Sequence, residues 1–217
     1  MKEPKNLYQL LSASPSPYAR KVRIQLIEKQ LDFELITEVP WNKETTTPRY
    51  NPLEKLPVLI TPHGESVFES RYINEWIEIK HPEPALMPAD PDGKLAVKRF
   101  EVIADGACDA LVLMFFEKSR DAGKRSKPWF ARQERKLDGA LRDLAGRIGD
   151  KTFCHGGQLT LADIAVGSLL GYVALRWPDH PWQETYPNLA QFSQAMEARD
   201  SFVSTKPTPQ AIRDKVA

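Results

Sequence analysis

The sequence predicts an α/β domain built from short alternating elements, followed by an all-helical domain. Three observations carry that expectation. Between Leu7 and about Lys80, apolar residues either alternate or gather on one helical face over short stretches. Pro82, Pro84, Pro88 and Pro91 then fall within ten residues, so neither helix nor sheet runs through His81 to Asp92. Beyond them the apolar period is that of long amphipathic helices, and nothing alternates as a strand.

In order, Leu7 to Leu11 reads as a strand, and Tyr18 to Lys29 as a helix with Ala19, Val22, Leu26 and Ile27 on one face. Phe33 to Ile36 alternates as a half-buried strand. Glu38 to Lys55 is a long connection, either functional or hiding a short helix. Pro57 to Thr61 and Ser66 to Phe68 read as a hairpin turned at Gly64, and a helix from Tyr72 to Lys80 closes the half. The second half offers helices over Gly93 to Ser119, Pro128 to Ile148, Thr160 to Arg176 and Asn188 to Arg199.

Composition narrows the function classes. The chain has 217 residues, 41% hydrophobic and 27% charged, the profile of a protein able to bury a core. Net charge is +1 with Lys and Arg dispersed among Asp and Glu, so the electrostatic footprint of a nucleic-acid binder is missing. Met1 to Lys5 lacks the apolar core of a signal peptide, and no apolar run reaches membrane-spanning length. Cys108 and Cys154 form no Cys-x-x-Cys pair, which fits a reducing cytoplasm. His63, His81, His155 and His180 show no metal-ligand spacing, and no metal is expected.

The stretch Asn51-Pro52-Leu53-Glu54-Lys55-Leu56-Pro57-Val58-Leu59 is the most informative. Pro57 fronts a β-branched run, and a proline is tolerated in a sheet only at a strand start, an edge or a special turn. With a cis Leu56-Pro57 bond, the Leu56 amide and carbonyl turn outward, unpaired, beside the sheet. Glu69-Ser70 then closes the next strand and opens a helix whose apolar face carries Ile73 and Ile77. Ser70 is there an N-cap by default, and a helix N-terminus is an anion site. A strand edge beside an anion pocket suits a peptide with a free carboxylate.

Two more helix starts stand out. In Leu159-Thr160-Leu161-Ala162-Asp163-Ile164, Thr160 caps the following helix and Asp163 reaches back as the shorter partner of a capping box, with Leu159 and Ile164 at staple spacing. That role is structural. In Ser12-Ala13-Ser14-Pro15-Ser16-Pro17-Tyr18, Ser16 precedes a proline suited to the first helical position and reads as an N-cap. The same geometry lets a hydroxyl donate to a thiolate while the helix dipole holds it ionised.

Ser-Pro-Tyr-Ala-Arg-Lys-Val-Arg-Ile from Ser16, the Asn51 to Leu59 stretch, Phe68-Glu69-Ser70 and Leu159-Thr160-Leu161-Ala162-Asp163-Ile164-Ala165 together resemble the cytosolic glutathione transferases, in order and over nearly the whole chain. The resemblance implies a thioredoxin-like glutathione-binding domain over residues 1–82 (β-α-β-α-β-β-α), a linker at 83–92 and an all-helical domain over 93–217. Serine-type classes, theta and zeta, keep their activating hydroxyl where Ser16 stands, and the omega class has a cysteine there. By resemblance, Leu56 before Pro57 pairs with the cysteinyl backbone of glutathione, Glu69 takes its ammonium, Ser70 takes its γ-glutamyl carboxylate, and Lys43 contacts it as in omega-like enzymes. Lys55 is a further candidate for the glycyl carboxylate, though a solvated charge accounts for it equally well. On the residues alone, Ser14 and Ser12 compete with Ser16 for the active hydroxyl.

The implied activity is conjugation of the glutathione thiolate to a hydrophobic electrophile, or reduction of a peroxide, by a cytoplasmic homodimer acting in detoxification without metal, membrane or nucleic acid. The alternative is a binding or regulatory module of the same fold with little catalysis, since fold does not fix function. A glutaredoxin-like reductase is disfavoured by the serine at position 16. Tyr18, Met114 and Arg176 are the weak candidates for the second-substrate pocket; an aromatic and methionine stripe is more often core. Asp105 is a candidate for a contact across a dimer interface, with a surface charge as its plainer reading.

Overall fold

The computed structural model describes residues 7–214, so the expectation resting on Met1 to Lys5 lies outside the described residues. These residues form two units, residues 7–85 with Pro207–Asp214, and Leu86–Lys206. The first unit holds β1 (Tyr8–Ser12), α1 (Pro17–Glu28), β2 (Phe33–Thr37), β3 (Val58–Ile60), β4 (Ser66–Phe68) and α2 (Ser70–Lys80). The strands form one sheet in the order β2-β1-β3-β4, with β1 parallel to β2 and antiparallel to β3, and β3 antiparallel to β4. This is the thioredoxin-like arrangement expected, except at one element. Between β2 and β3 the second helix is reduced to a single 3₁₀ turn, Thr47–Arg49. A β-branched run, Thr45-Thr46-Thr47, followed by Pro48 is a poor helix former. Its amides and hydroxyls bond to Glu38 instead.

Alternation along the strands builds a core on each face of the sheet. Leu10, Leu59 and Val67 meet Val22 and Leu26 of α1 and Ile73 and Ile77 of α2. Leu11, Val58 and Ile60 face the other way, against Ile36, Tyr50, Leu56 and Phe68. The β3–β4 hairpin turns where expected, at Gly64, whose φ of +83° is the left-handed conformation glycine adopts freely. At the far end of α1, the fully buried Lys29 side chain donates to the carbonyls of His81 and Pro84 and pairs with Glu78 at 2.9 Å. A buried ammonium is tolerated only when its donors are met in this way.

The second unit is entirely helical among the described residues: α3 (Pro91–Ser119), α4 (Lys127–Ile148), α5 (Leu161–Arg176), the single turn α6 (Trp182–Thr185), α7 (Pro187–Glu197) and α8 (Asp200–Val203). The two short helices α6 and α8 have no counterpart in the sequence reading, because one turn shows no period. Asp90 and Ser126 cap α3 and α4 through bonds from the Gly93 and Trp129 amides. From Leu161 to Leu170 every residue of α5 is buried, as a helix apolar all round must be. Gly167 lets Phe202 of α8 approach, since a Cβ there would lie 2.5 Å from its ring.

Pro207–Asp214 departs from the expected partition, in which everything after residue 93 belongs to the helical half. This irregular segment groups with the first unit because its hydrogen bonds go there.

Candidate functional site

Strand register decides what comes together. Leu11 of β1 pairs with Val58 of β3, Val58 pairs with Phe68 of β4, and Ser12 pairs with Thr37 of β2. With these strand directions, the exits of β1, β2 and β4 and the entrance of β3 all lie at one end of the sheet. Every segment holding a predicted glutathione contact leaves from that end: Ser12 to Ser16, the Glu38 to Tyr50 connection with Lys43, Leu56-Pro57, and Glu69-Ser70. Two interstrand steps of about 4.8 Å separate β1 from β4, roughly 10 Å in all. An extended peptide of three residues reaches about that far.

Ser16 is the N-cap of α1, with an extended backbone and Pro17 at the first helical position. Its Oγ accepts from the Ala19 amide at 3.2 Å. The hydroxyl proton has no acceptor among the described residues. The N-cap reading and the donor reading therefore use different parts of one group. Of the competing serines, Ser12 is the buried last residue of β1 and Ser14 lies in the turn ahead of the helix; neither caps it.

The Leu56-Pro57 bond is cis. Leu56 stands two residues ahead of the β3 ladder, and its amide and carbonyl make no hydrogen bond among the described residues. Asn51, buried at 1% exposure, shapes the approach. Its side chain accepts from the Leu53 amide and donates to the Lys55 carbonyl at 2.8 Å. Lys55 itself is exposed.

The start of α2 corrects the sequence reading. Ser70 is the first helical residue, and Glu69 occupies the N-cap with no side-chain capping bond. Glu69 has φ 71° and ψ 114°, a conformation foreign to non-glycine residues. Such a backbone costs about 1–3 kcal/mol and persists where surroundings impose it, typically at ligand sites. Ser70 is 1% exposed, and its Oγ has no hydrogen-bond partner. A buried hydroxyl left unpaired costs about 1–3 kcal/mol. The helix start thus carries a strained residue and an unmet polar group side by side.

Lys43 is exposed on the β2–β3 connection, and its backbone amide donates to Asp214 Oδ2 at 2.7 Å. Glu38 organises this connection. Its carboxylate accepts from the hydroxyls of Thr45, Thr46 and Thr47 and from the amides of Thr46 and Thr47. Burial pushes the Glu38 carboxyl up, but these donors outweigh it and hold the group below the usual carboxylate range.

In the helical unit, Met114 is 1% exposed, the disposition of a core side chain, so here it lines no open pocket. Arg176 lies 4.1 Å from the Phe115 ring centroid and 5.6 Å from that of Tyr172, a cation–π arrangement, with its Nε buried and unpaired. Asp105 is buried and has a partner, so it is not the surface charge expected. Tyr18 is half-buried in the first turn of α1.

At the start of α5, Asp163 is fully buried. It accepts from the Thr160 amide and hydroxyl and from the Cys154 amide, each at 2.7 Å. Burial, with the Asp163 carboxylate nearby, pushes the Cys154 thiol far above its ordinary range, which removes it as a nucleophile. Cys108 is also buried and in no disulfide. Among the described residues no group of His, Cys, Asp or Glu side chains could hold a metal ion, and no helix is long and apolar enough to cross a membrane.

The anchoring roles of the Glu38 and Asn51 side chains and the return of the 207–214 segment are what sequence reading left unassigned. Asn51-Pro52 and Thr45-Thr46-Thr47 carry local signals of a turn and of hydroxyl donors, whereas Asp214 lies 171 residues from Lys43 and carries none.

A thioredoxin-like sheet with a cis-proline at the start of an inner strand and an unpaired serine at a helix start, followed by a helical unit, is a two-part architecture, and comparison with known proteins supplies its family. Residues 15–80 match the glutathione S-transferase N-terminal domain, and residues 127–195 match its C-terminal domain. The chain is similar to the uncharacterized GST-like protein YibF of Escherichia coli K12, 36% identical over 92% of this chain and 98% of that protein. It is also similar to the crystal structure of a glutathione S-transferase from Methylobacterium radiotolerans in complex with glutathione sulfonate. There the TM-score is 0.95 and the identity 56%, over 97% of this chain and 99% of the other. A glutathione S-transferase from Methylobacillus flagellatus with glutathione bound superposes with a TM-score of 0.89 at 39% identity, over 93% and 100% of the two chains. The protein belongs to the cytosolic glutathione transferase superfamily.

Proposed function

We propose that this chain binds glutathione at the common end of its sheet and transfers the thiolate to an electrophilic small molecule, with peroxide reduction as a minor activity. The observation that carries this is the convergence of three uncommitted polar groups there: the Ser16 hydroxyl proton, the Leu56 peptide groups and the Ser70 hydroxyl. In this reading Leu56, ahead of Pro57, pairs with the cysteinyl backbone. Glu69 meets the ammonium, Ser70 and the first turn of α2 meet the γ-glutamyl carboxylate, and Lys43 meets a second carboxylate.

The chemistry asked of Ser16 is small. A free thiol near pKa 8.5 must drop by about two units to be largely ionised at neutral pH, roughly 2.7 kcal/mol. A hydroxyl donating to a charged sulfur supplies about 1.5–3 kcal/mol. The helix N-terminus adds about 0.3–1 kcal/mol. Ser16 acts as an electrostatic stabiliser, not a nucleophile, and no general base is required. Tyr18 and Arg176 are the second-substrate candidates that keep exposed surface. A groove of about 450 Å³ along α3 and α4, lined in part by Val102, Gly106, Ala110 and Leu113, is the face this reading gives to a homodimer partner.

The test is retention on immobilised glutathione, elution by free glutathione, and turnover of 1-chloro-2,4-dinitrobenzene. Retention with turnover is the expected result. Retention without turnover of any electrophile or peroxide would leave a binding module, and no retention at millimolar ligand would remove glutathione as the ligand.

A further inference from the structure

The first unit contains a segment that no local rule would place there. After α8 the chain returns with Pro207–Asp214, which has no helix or strand, and lies along the connections that leave the sheet end just described. The Thr208 amide donates to the Ser14 carbonyl at 3.4 Å. Gln210 Nε2 donates to the Glu38 carbonyl at 3.1 Å. The Arg213 amide donates to Asn42 Oδ1 at 2.9 Å, and the Lys43 amide donates to Asp214 Oδ2 at 2.7 Å. Arg213 also stands 4.0 Å from Glu44, an exposed pair of little energetic weight.

These contacts are not spread over the unit. They fall on two segments, the turn that carries Ser14 two residues before Ser16, and residues 38–44, which include Lys43. The β2–β3 connection contains one element, the 3₁₀ turn, and its inner anchors are Glu38 against Thr45, Thr46 and Thr47 and the Glu38 amide on the Ser12 carbonyl at 2.8 Å. The Glu38 carboxylate fixes residues 45–47 from one side, and the 207–214 segment holds residues 38–44 from the other. Lys43 lies between the two, presented by a backbone whose amide is held by a carboxylate.

We propose that Pro207–Asp214 is a positioning strap for glutathione binding, with Asp214 and Gln210 as positioning residues that hold the connection so that Lys43 faces the bound tripeptide. Neither touches the reacting atoms. The proposal rests on the reading of this sheet end as the glutathione site and extends it to a segment far away in sequence. A connection that is ordered for only part of the time weakens apparent affinity by the fraction of time it is competent, and leaves the chemical step alone. The strap therefore acts on affinity and not on turnover.

The test uses the full chain, with calorimetric titration of glutathione into the native protein, Gln210→Ala/Asp214→Ala, Lys43→Ala and the triple variant. Both strap residues are only partly buried, and helical content by circular dichroism checks that each variant folds. The double variant is expected to raise the glutathione Kd about five- to tenfold. The kcat at saturating glutathione should stay within about twofold, and Lys43→Ala should add almost nothing in the strapless background. Asp214→Asn, which keeps an oxygen to accept from the Lys43 amide, should stay within about twofold of native affinity. A native chain that binds glutathione while the double variant binds equally well overturns the strap alone. Losses from the strap and Lys43 that simply add overturn it too, because the two then act independently. A native chain that fails to bind glutathione removes the site reading and the strap together.

Discussion

The N-termini of α2 and α5 are made from similar parts and left in opposite states. Each has a short hydroxyl residue and a carboxylate at the helix start, and each carries the unmet amides of a first turn. At α5 both polar side chains are answered inside the chain, the Thr160 hydroxyl donating to Asp163 and Asp163 accepting three bonds while fully buried. At α2 the carboxylate of Glu69 makes no capping bond, its backbone is strained, and the Ser70 hydroxyl is buried without a partner. A helix start that is closed stabilises the fold. One that is held open at a cost in stability is set up to be completed by something outside the chain.

The sharpest way to break this contrast is at α5. Asp163→Ala removes three bonds at a fully buried cap and should cost about 3–4 kcal/mol of unfolding free energy in chemical denaturation. Whatever fraction stays folded should bind glutathione normally. A stable Asp163→Ala protein with selectively lost binding would reverse the assignment of the two helix starts.

Next in size is Ser16→Ala, expected to lower kcat with a general electrophile about 10- to 100-fold while glutathione affinity stays within a few-fold. The lost N-cap should also cost about 1 kcal/mol of stability. If Ser14→Ala gives the kinetic loss instead, the hydroxyl belongs to the turn and not to the cap.

Ser70→Ala separates function from stability within α2. Glutathione affinity should fall about tenfold, or 1.4 kcal/mol. Thermal stability should hold or rise, because an unpaired buried hydroxyl is removed. A lower melting temperature with unchanged affinity would make Ser70 an ordinary structural serine.

The smallest effect is in acid. The folded Glu38 carboxyl lies below its unfolded value of 4.5, so its contribution is present above that pH and is lost as pH falls through the folded pKa. The Thr46 and Thr47 amide resonances should follow that loss, with a midpoint below 4.5, and glutathione affinity should weaken with them. A midpoint above 4.5 would mean that the threonines do not hold the carboxylate.

Most of the fold was legible because its signals are local. Alternation at Phe33–Thr37, the prolines after Lys80 and the capping pattern at Thr160 and Asp163 each need only a few neighbouring residues. The middle helix is shorter than an α-helix: the connection from Glu38 to Lys55 reads as functional or hiding a short helix, and Glu38 captures the Thr45 to Thr47 hydroxyls and leaves one 3₁₀ turn. Ser70 was misplaced by one position, since sequence preference puts a serine at the N-cap and cannot show that Glu69 takes a positive φ. Met114 and Asp105 were ambiguous because a helix has several faces and only packing says which are covered.

By itself the sequence determined that an α/β half precedes a helical one, that Pro57 opens a strand, that Glu69-Ser70 opens a helix, and that Ser16 heads another. These follow from backbone restrictions and periodicities that act over a few residues. Only the tertiary structure decided that Glu69 takes the N-cap of α2, that Ser70 is left unpaired, and that residues 207–214 return to the first unit beside Lys43. Those outcomes depend on strand register and on hydrogen bonds closed over long loops, whose partners are selected by the whole folded chain.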